Sequence, residues 1–400
     1  MLFHFKDSNI KIAVVGLGYV GWPLFVLLSR NYECLGLDIN ESRVKKLKGN
    51  ITPNTTKDVL THEYQDLQGC KIFIVCVPTG VDENNKPDLS PLKKVCKSLG
   101  KIIDHGCTVI FESTVFPGAT EEICIPLLEK YSSLRVNKDF SVGYSPERIN
   151  VGDHQHSLGN IPKVISATND EALELLSTIY SSIIDAPIIR ASSIKVAEAA
   201  KMYENTQRDV LIALANEYSS YCKTEGINIE EVTECAASKW NFSRVNPGLV
   251  GGHCIGVDPY YLLERAQQHC ISLPLIKCAR AINELKPIEV TNQIVKKIDD
   301  IKNVKILLLG VAYKPNTGDV RNSKVLDIYR ELQKFCSHVF LYDPLVSRED
   351  MPRDFPINFF QTEPIGIVWD YIINMVDHEI FKSHLKNITT KHKLTLKDLL

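Results

Sequence analysis

The chain carries no excess of charge of either sign. Its 400 residues hold 46 Lys and Arg against 48 Asp and Glu, a net −2 with His neutral. That balance offers no field for nucleic acid or for an acidic membrane surface. No apolar run approaches the length of a membrane span. Met1 to Asp7 lack the apolar core of a secretion signal. Low-complexity tracts and solenoid-length repeats are missing as well. The 12 cysteines never form a C-x-x-C pair, and the histidines are not set at zinc-site spacing, so no metal is expected. Cys34, Cys70, Cys76, Cys107, Cys278 and Cys336 lie mostly in apolar stretches and read as small core side chains. Unpaired thiols in a long chain point to reducing cytosol, and hence to a cytoplasmic location.

What remains is ordinary globular composition, 44% hydrophobic and 24% charged, with length for two to three domains. Short apolar runs at 10–15, 33–37, 72–77, 108–111 and 140–144 each stop on a polar or Gly/Pro motif. Helix-length segments such as 91–103 and 119–131 lie between them. This alternation predicts a parallel, doubly wound α/β sheet with ligands at the carboxyl ends of its strands. From Ser192 the pattern changes, because no Gly or Pro interrupts 192–225. One long helix capped by Ser192 or Ser193 is expected there, as a connection between domains and a candidate dimer interface. More helix follows at 228–238, 260–269 and 274–300. A smaller α/β unit then begins with a strand at 304–309, a helix at 323–335, a strand at 338–342 and an apolar segment at 371–376. It has no G-x-G-x-x-G, so a second dinucleotide is not expected there.

The first run leads into Gly16-Leu17-Gly18-Tyr19-Val20-Gly21. Gly16 permits a tight turn, Gly18 lets backbone approach a pyrophosphate, and Gly21 allows close helix–strand packing. The helix N-terminus then faces the phosphates. Asp38 follows Gly21 by 17 positions at a strand end, where a carboxylate binds ribose hydroxyls and repels a 2′-phosphate. NAD is therefore favoured over NADP; Arg43 reads as a solvated helix charge that would soften this choice.

Cys254 stands inside Gly251-Gly252-His253-Cys254-Ile255-Gly256. An isolated cysteine is usually inert core, but flanking glycines suggest close approach to a ligand. A thiol in a nicotinamide enzyme suggests covalent capture of an aldehyde and two oxidations at one carbon. Asp258 before Pro259 reads as a helix cap, alone or with an active-site contact. Lys201 and Asn205 share one helix face at i and i+4, either solvated or facing a cleft. Glu147 is a surface partner of Arg148 or a water-activating base; the residues alone leave both open.

The string over 251–262, Gly-Gly-His-Cys-Ile-Gly-Val-Asp-Pro-Tyr-Tyr-Leu, resembles the active-site signature of the UDP-glucose/GDP-mannose dehydrogenase family. Also similar are the glycine fingerprint, Glu112-Ser113-Thr114-Val115, Tyr144-Ser145-Pro146-Glu147-Arg148 and Ala197-Glu198-Ala199-Ala200-Lys201. Gly310-Val311-Ala312-Tyr313-Lys314-Pro315-Asn316 and Asp319-Val320-Arg321-Asn322-Ser323 complete the series in family order. His253 and the stretch from Glu204 to Asp209 resemble the UDP-N-acetylhexosamine branch more than the UDP-glucose branch.

The resemblance implies a Rossmann-like NAD domain over 1–191, a central helical domain with the cysteine loop over 192–302, and a smaller Rossmann-like UDP-binding domain over 303–400. It implies NAD held by Gly16, Gly18, Tyr19, Val20, Gly21, Asp38, Arg43, Pro78, Thr79, Ser113 and Thr114. Cys254, Lys201, Asn205, Glu147, Asp258 and Thr114 take catalytic roles. Glu147, Arg148, Lys201, Asn205, Arg208, Gly251, Lys314 and Arg321 contact a UDP-sugar. The implied reaction is a four-electron oxidation at sugar C6 through a Cys254 thiohemiacetal and thioester, for surface-polysaccharide precursors, in a homodimer built on the long helix. The alternatives are a UDP-glucose 6-dehydrogenase, a single-hydride hydroxyacid dehydrogenase and a non-catalytic NAD sensor. Trp22 departs from the smaller aliphatic residue usual after the third glycine. The chain also stops about where a last strand and loop are expected, so the third domain reads as trimmed.

Overall fold

The computed structural model describes residues 10–49, 59–149, 158–352, 358–384 and 388–400. The chain forms two compact units, residues 1–204 with 260–269, and 205–259 with 270–400.

The first unit is built on strands β1 (Lys11–Val15), β2 (Glu33–Leu37), β3 (Val59–Thr61) and β4 (Ile72–Val75), a small hairpin β5 (Gly80–Val81) and β6 (Pro87–Asp88), then β7 (Cys107–Phe111), β8 (Phe140–Tyr144), β9 (Lys163–Ala167) and β10 (Ile188–Arg190). Eight of these make one sheet in the order β10-β9-β8-β7-β4-β1-β2-β3. The chain reverses direction on the two sides of β1, so the strand ends around Val15, Leu37 and Val75 open on one edge, the position at which open α/β sheets bind ligands. β4 and β7 are buried along their whole length because helices cover both faces. Those helices are α1 (Gly21–Leu28), α2 (Glu41–Lys48), α3 (Ser90–Leu99), α4 (Ile125–Ser132) and α5 (Asp170–Ser181). An all-parallel sheet is not what forms: β8 and β9 pair antiparallel, Gly143 opposite Ala167. An antiparallel strand toward the edge of an otherwise parallel sheet is common in doubly wound folds.

The long helix is present as α6 (Ile194–Glu225), 32 residues, with the Ser193 hydroxyl accepting the N–H of Val196. It carries the chain from one unit into the other. Next come α7 (Ile229–Ala237), capped by Asn228, α8 (Asp258–Gln268) and α9 (Pro274–Lys297), which accommodates Pro287 in its interior. The second unit adds β11 (Ile306–Leu309), α10 (Lys324–Gln333), β12 (Val339–Tyr342), β13 (Phe359–Phe360), β14 (Val368–Asn374), the short α11 (Phe381–His384) and β15 (Thr389–Thr395). Its five strands run parallel in the order β13-β12-β11-β14-β15. Period-2 alternation divides its core: Ile306 and Leu308 pack with Val290 and Ile294 of α9, while Leu307 and Leu309 pack with Trp369 and Phe381. The last strand, β15, lies at the edge of this sheet. Among the described residues no helix is long and apolar enough to cross a membrane.

Candidate active site

In the first unit the glycine turn follows β1 as the fingerprint requires. Gly16 takes φ +93°, and a Cβ on Gly21 would lie 1.8 Å from the Gly16 carbonyl oxygen. Only glycine at position 21 lets α1 start this close to the strand end. Nothing lies within 4 Å of where a Gly18 Cβ would be, so backbone there stays open to an approaching ligand. Trp22 stacks on Phe25 at 5.6 Å and packs against the core beneath α1. It thus serves as helix packing. Asp38, at the end of β2, is 5% exposed. Its Oδ2 accepts the Leu17 N–H at 3.0 Å and the Arg43 guanidinium at 2.9 Å. Arg43 is an exposed helix charge, as read, and is also the ion-pair partner of Asp38. The Thr79 hydroxyl donates to the Thr114 carbonyl at 2.7 Å, and Ser113 to the Val77 carbonyl at 2.7 Å. These bonds lace the segments after β4 and β7, with Pro78 between them, along the same edge as the glycine turn. A strand–turn–helix with an open Gly18, and a buried carboxylate one strand away, fit the phosphates and ribose of NAD.

Beside that edge lies a cluster the sequence did not reveal. Lys163, the first residue of β9, is 3% exposed. Its ammonium is 2.9 Å from Glu112 Oε2 and 3.4 Å from Glu147 Oε2. The Tyr180 hydroxyl donates to the other Glu112 oxygen. Glu147 Oε1 accepts the N–H groups of Arg148 at 2.6 Å and Ile149 at 2.5 Å. Lys201 on α6 is buried and donates to the Glu147 carbonyl oxygen at 2.6 Å. Glu147 is thus no surface partner of Arg148, whose guanidinium pairs with Glu204 at 3.0 Å. Burial, with the Glu147 charge nearby, raises the Glu112 carboxyl above its usual range despite Lys163. For Glu147 burial pushes the same way, but Lys163, the two backbone N–H groups and Lys201 outweigh it and hold the carboxyl low. Lys163 shows the mirror effect: burial alone would lower it, and the two glutamates raise it.

In the second unit Cys254 is half-buried in the turn that leads into α8. Its carbonyl accepts the N–H groups of Val257 at 3.0 Å and Asp258 at 2.8 Å. Asp258 is the first residue of α8 itself, one position past a cap, and its carboxylate accepts the side-chain amide of Asn205. The carbonyl of that amide accepts Arg208. Asn205, Arg208 and Asp258 thereby form one chain, buried at Asn205 and Asp258 and exposed at Arg208. The glycines before Cys254 answer to protein neighbours. A Cβ on Gly251 would lie 2.7 Å from the Asn322 carbonyl oxygen, and one on Gly252, at φ +77°, would lie 2.7 Å from the Tyr313 ring. Asn322 also donates to the Gly252 carbonyl at 3.0 Å. The cysteine loop is thus seated on the loops that follow β11. Arg321 forks onto Asp319, with Nε at 2.9 Å and Nη2 at 2.6 Å, and approaches His253 Nδ1 at 3.3 Å. A cavity of about 420 Å³ opens beside Gly251, Tyr313 and Lys314, with Lys324, Asn374 and Lys397 also in its wall. Lys324 is paired with Glu284 and Lys397 with Glu230, each at 2.6 Å, and Asp377 also lines this space.

Glu112 and Asp319 sat inside motifs that were read for their neighbours. Lys163 and Lys324 had no signal beyond a lysine beside an apolar run.

These features define an NAD-dependent dehydrogenase in which a dinucleotide fold is joined to a second parallel α/β unit with a cavity of its own. Models of the UDP-glucose/GDP-mannose dehydrogenase family match along the chain: the NAD binding domain over 10–184, the central domain over 195–285 and the UDP binding domain over 307–397. The chain belongs to that family, and it is an NAD-dependent nucleotide-sugar dehydrogenase. It is similar to a UDP-N-acetyl-D-glucosamine 6-dehydrogenase of Pseudomonas aeruginosa, 46% identical over 390 residues that cover 94% of this chain and 92% of that protein. An enzyme of the same name from Salmonella typhi is 41% identical, with 94% and 92% covered. The solved UDP-D-ManNAc dehydrogenase of Pyrococcus horikoshii superposes with a TM-score of 0.83 at 32% identity, covering 96% of this chain and 94% of that one.

Proposed function

We propose that the chain oxidises the C6 hydroxyl of a UDP-N-acetylhexosamine to the carboxylate, a four-electron reaction that supplies a uronic-acid nucleotide sugar for surface polysaccharide. The observation that carries this reading is identity of 46% across 94% of the chain to an enzyme named for that reaction, with Cys254 seated in the glycine loop that opens α8. NAD, when bound, accepts the hydride that leaves C6 in each oxidation. Lys201 stabilises negative charge on the C6 oxygen, a contribution of several kcal/mol for a cation in a water-poor site. The Glu147 carbonyl holds its ammonium in place. Asn205 stands one turn further along the same helix, fixed from both ends by Arg208 and Asp258. The Cys254 thiolate adds to the C6 aldehyde and retains it as a thiohemiacetal, which becomes a thioester in the second oxidation. Water then forms the new C–O bond, its proton passes to Glu147, and the C–S electron pair returns to Cys254 Sγ. Base catalysis of this kind is worth about 10²–10⁴-fold. Gly251, Lys314 and Arg321 serve the UDP moiety, and Arg148 and Arg208 the sugar side. The enzyme works in the cytoplasm, a reading supported by 12 cysteines of which none is in a disulfide among the described residues.

A panel of UDP-N-acetylglucosamine, its galacto epimer and UDP-glucose with NAD tests the reading. Two NADH per N-acetylated sugar are expected. Cys254→Ser is expected to keep NAD binding and lose turnover, because oxygen is a poorer nucleophile and leaving group. One NADH per sugar, or a Ser variant that turns over normally, would overturn the covalent mechanism. A tenfold preference for UDP-glucose would overturn the substrate.

A further inference from the structure

Lys163 is an ammonium inside the first unit that the reaction does not consume. It stands between two carboxylates, 2.9 Å from Glu112 and 3.4 Å from Glu147, and lies 5.2 Å from the centre of the Tyr180 ring. One cation is thus shared by two anions where little water reaches. We propose that Lys163, backed by Glu112 and Tyr180, is a positioning residue that sets the basicity of Glu147. The inference rests on the assignment of Glu147 as the base that activates water for thioester hydrolysis.

The charge count carries the argument. Above the raised Glu112 value of about 7 the cluster holds two carboxylates and one ammonium before hydrolysis, a net −1. A water proton arriving on Glu147 leaves the Lys163–Glu112 pair, which is neutral overall. Proton uptake therefore ends on a matched pair and not on a lone buried charge, and a lone buried charge is the costly case. Were Glu112 neutral, the whole attraction of Lys163 would fall on Glu147 and make it a feebler base. Were Lys163 absent, Glu147 would hold its proton more tightly and stay blocked to higher pH.

The other groups facing the cluster do not replace Lys163. Tyr180 on α5 donates to Glu112. Cys76, after β4, is buried beside the same charges, and burial raises its thiol, which keeps it neutral. Lys201 on α6 is spent on the Glu147 carbonyl oxygen. Arg148 is paired with Glu204.

The test is the pH dependence of kcat, together with single-turnover decay of the thioester, in Lys163→Met, Lys163→Arg, Glu112→Gln and Glu147→Gln enzymes. Lys163→Met is expected to move the acidic limb of kcat upward by about one pH unit, and Glu112→Gln to move it downward, each with KM within about twofold. Lys163→Arg restores the limb, since the charge is kept. A purely structural role would lower kcat at every pH and shift neither limb. Unshifted limbs in folded, NAD-binding Lys163→Met and Glu112→Gln enzymes would overturn the proposal. If Lys163→Met does not fold, the downward shift in Glu112→Gln decides alone. Glu147→Gln separates the two ideas: thioester build-up there, with unshifted limbs in the others, removes only the role of Lys163. Normal thioester decay in Glu147→Gln removes the base assignment and this inference with it.

Discussion

We propose that cofactor choice turns on Asp38, whose one carboxylate is shared between a cation and backbone N–H groups. Its Oδ2 holds Leu17 N–H of the glycine turn and the Arg43 guanidinium at once, and Oδ1 accepts Asn40 N–H at 2.9 Å. A bound ribose finds an acceptor already fixed in direction, while a 2′-phosphate meets that negative charge. Arg43 is the group that would welcome such a phosphate, but the ion pair detains it, its side chain being half exposed. Asp38→Ser removes the repulsion and releases Arg43 in one step. The expected result is a fall of tenfold or more in the NAD-to-NADP ratio of kcat/KM, read by steady-state kinetics with each cofactor. An unchanged ratio in the variant would mean that discrimination lies elsewhere in the turn. Asp38 was readable from the sequence because its spacing from the glycines is local. Its pairing with Arg43 was not, since a lone arginine on an amphipathic helix has no pattern to distinguish it.

At the scale of elements, the second unit repeats this device with different chemistry. Asp343, directly after β12, is fully buried. It accepts the N–H groups of Val311 at 2.7 Å and Ala312 at 3.2 Å from the turn after β11, and of Leu345 at 2.9 Å. His378 Nε2, after β14, completes the set at 3.1 Å, while His378 Nδ1 accepts Asn316 N–H at 2.9 Å. One carboxylate thus ties three strand ends to the loop carrying Tyr313 and Lys314. Burial alone would raise the Asp343 carboxyl, but the His378 and backbone hydrogen bonds prevail and hold it below its usual value. A depressed folded-state pKa means the contribution is whole above the unfolded value of about 4 and is lost as pH falls through the folded value. Asp343→Ala should cost about 2–4 kcal/mol by denaturant unfolding near pH 7 and less in strong acid, where the wild-type carboxyl is protonated too. Equal losses at both pH values would show packing alone. The strands that were legible, such as β1, β4, β7 and β11, are continuous apolar runs buried on both faces. Those that were not, β3, β9, β10 and β15, are short or mixed in polarity and lie toward sheet edges, where only pairing with a neighbour makes them strands. The glycine fingerprint was legible for the same local reason. The Lys163 cluster was not, because Glu112 and Lys163 are 51 residues apart and meet only when β7, β8 and β9 are side by side.

For the whole molecule the long helix sets the largest expectation, because α6 has more apolar surface than its own chain covers. Its 32 residues span about 48 Å at 1.5 Å per residue. Val196, Tyr203, Leu214, Tyr218 and Tyr221 are 48%, 72%, 58%, 47% and 54% exposed. At 100° per residue these positions fall within about 60° of one another, a single stripe along the helix. Scattered exposed apolar residues need no explanation, but a contiguous stripe marks a surface that another protein covers. The partner we propose is a second copy, since a two-fold axis across the helix brings the stripe against itself, the self-complementary arrangement usual for dimers. The chain weighs 45.0 kDa, so light scattering on purified protein should give twice that mass. Leu214→Glu with Tyr221→Glu puts two carboxylates on the stripe, so that the two copies present like charge to each other across the axis. Such like charges cost several kcal/mol when buried together, enough to shift the mass toward the monomer at micromolar concentration. Neither substitution touches the Asp38 turn or the Cys254 loop, so NAD binding by the monomer should persist. A wild-type mass of one chain would remove the dimer, and a double variant that remains a dimer would place the interface away from α6.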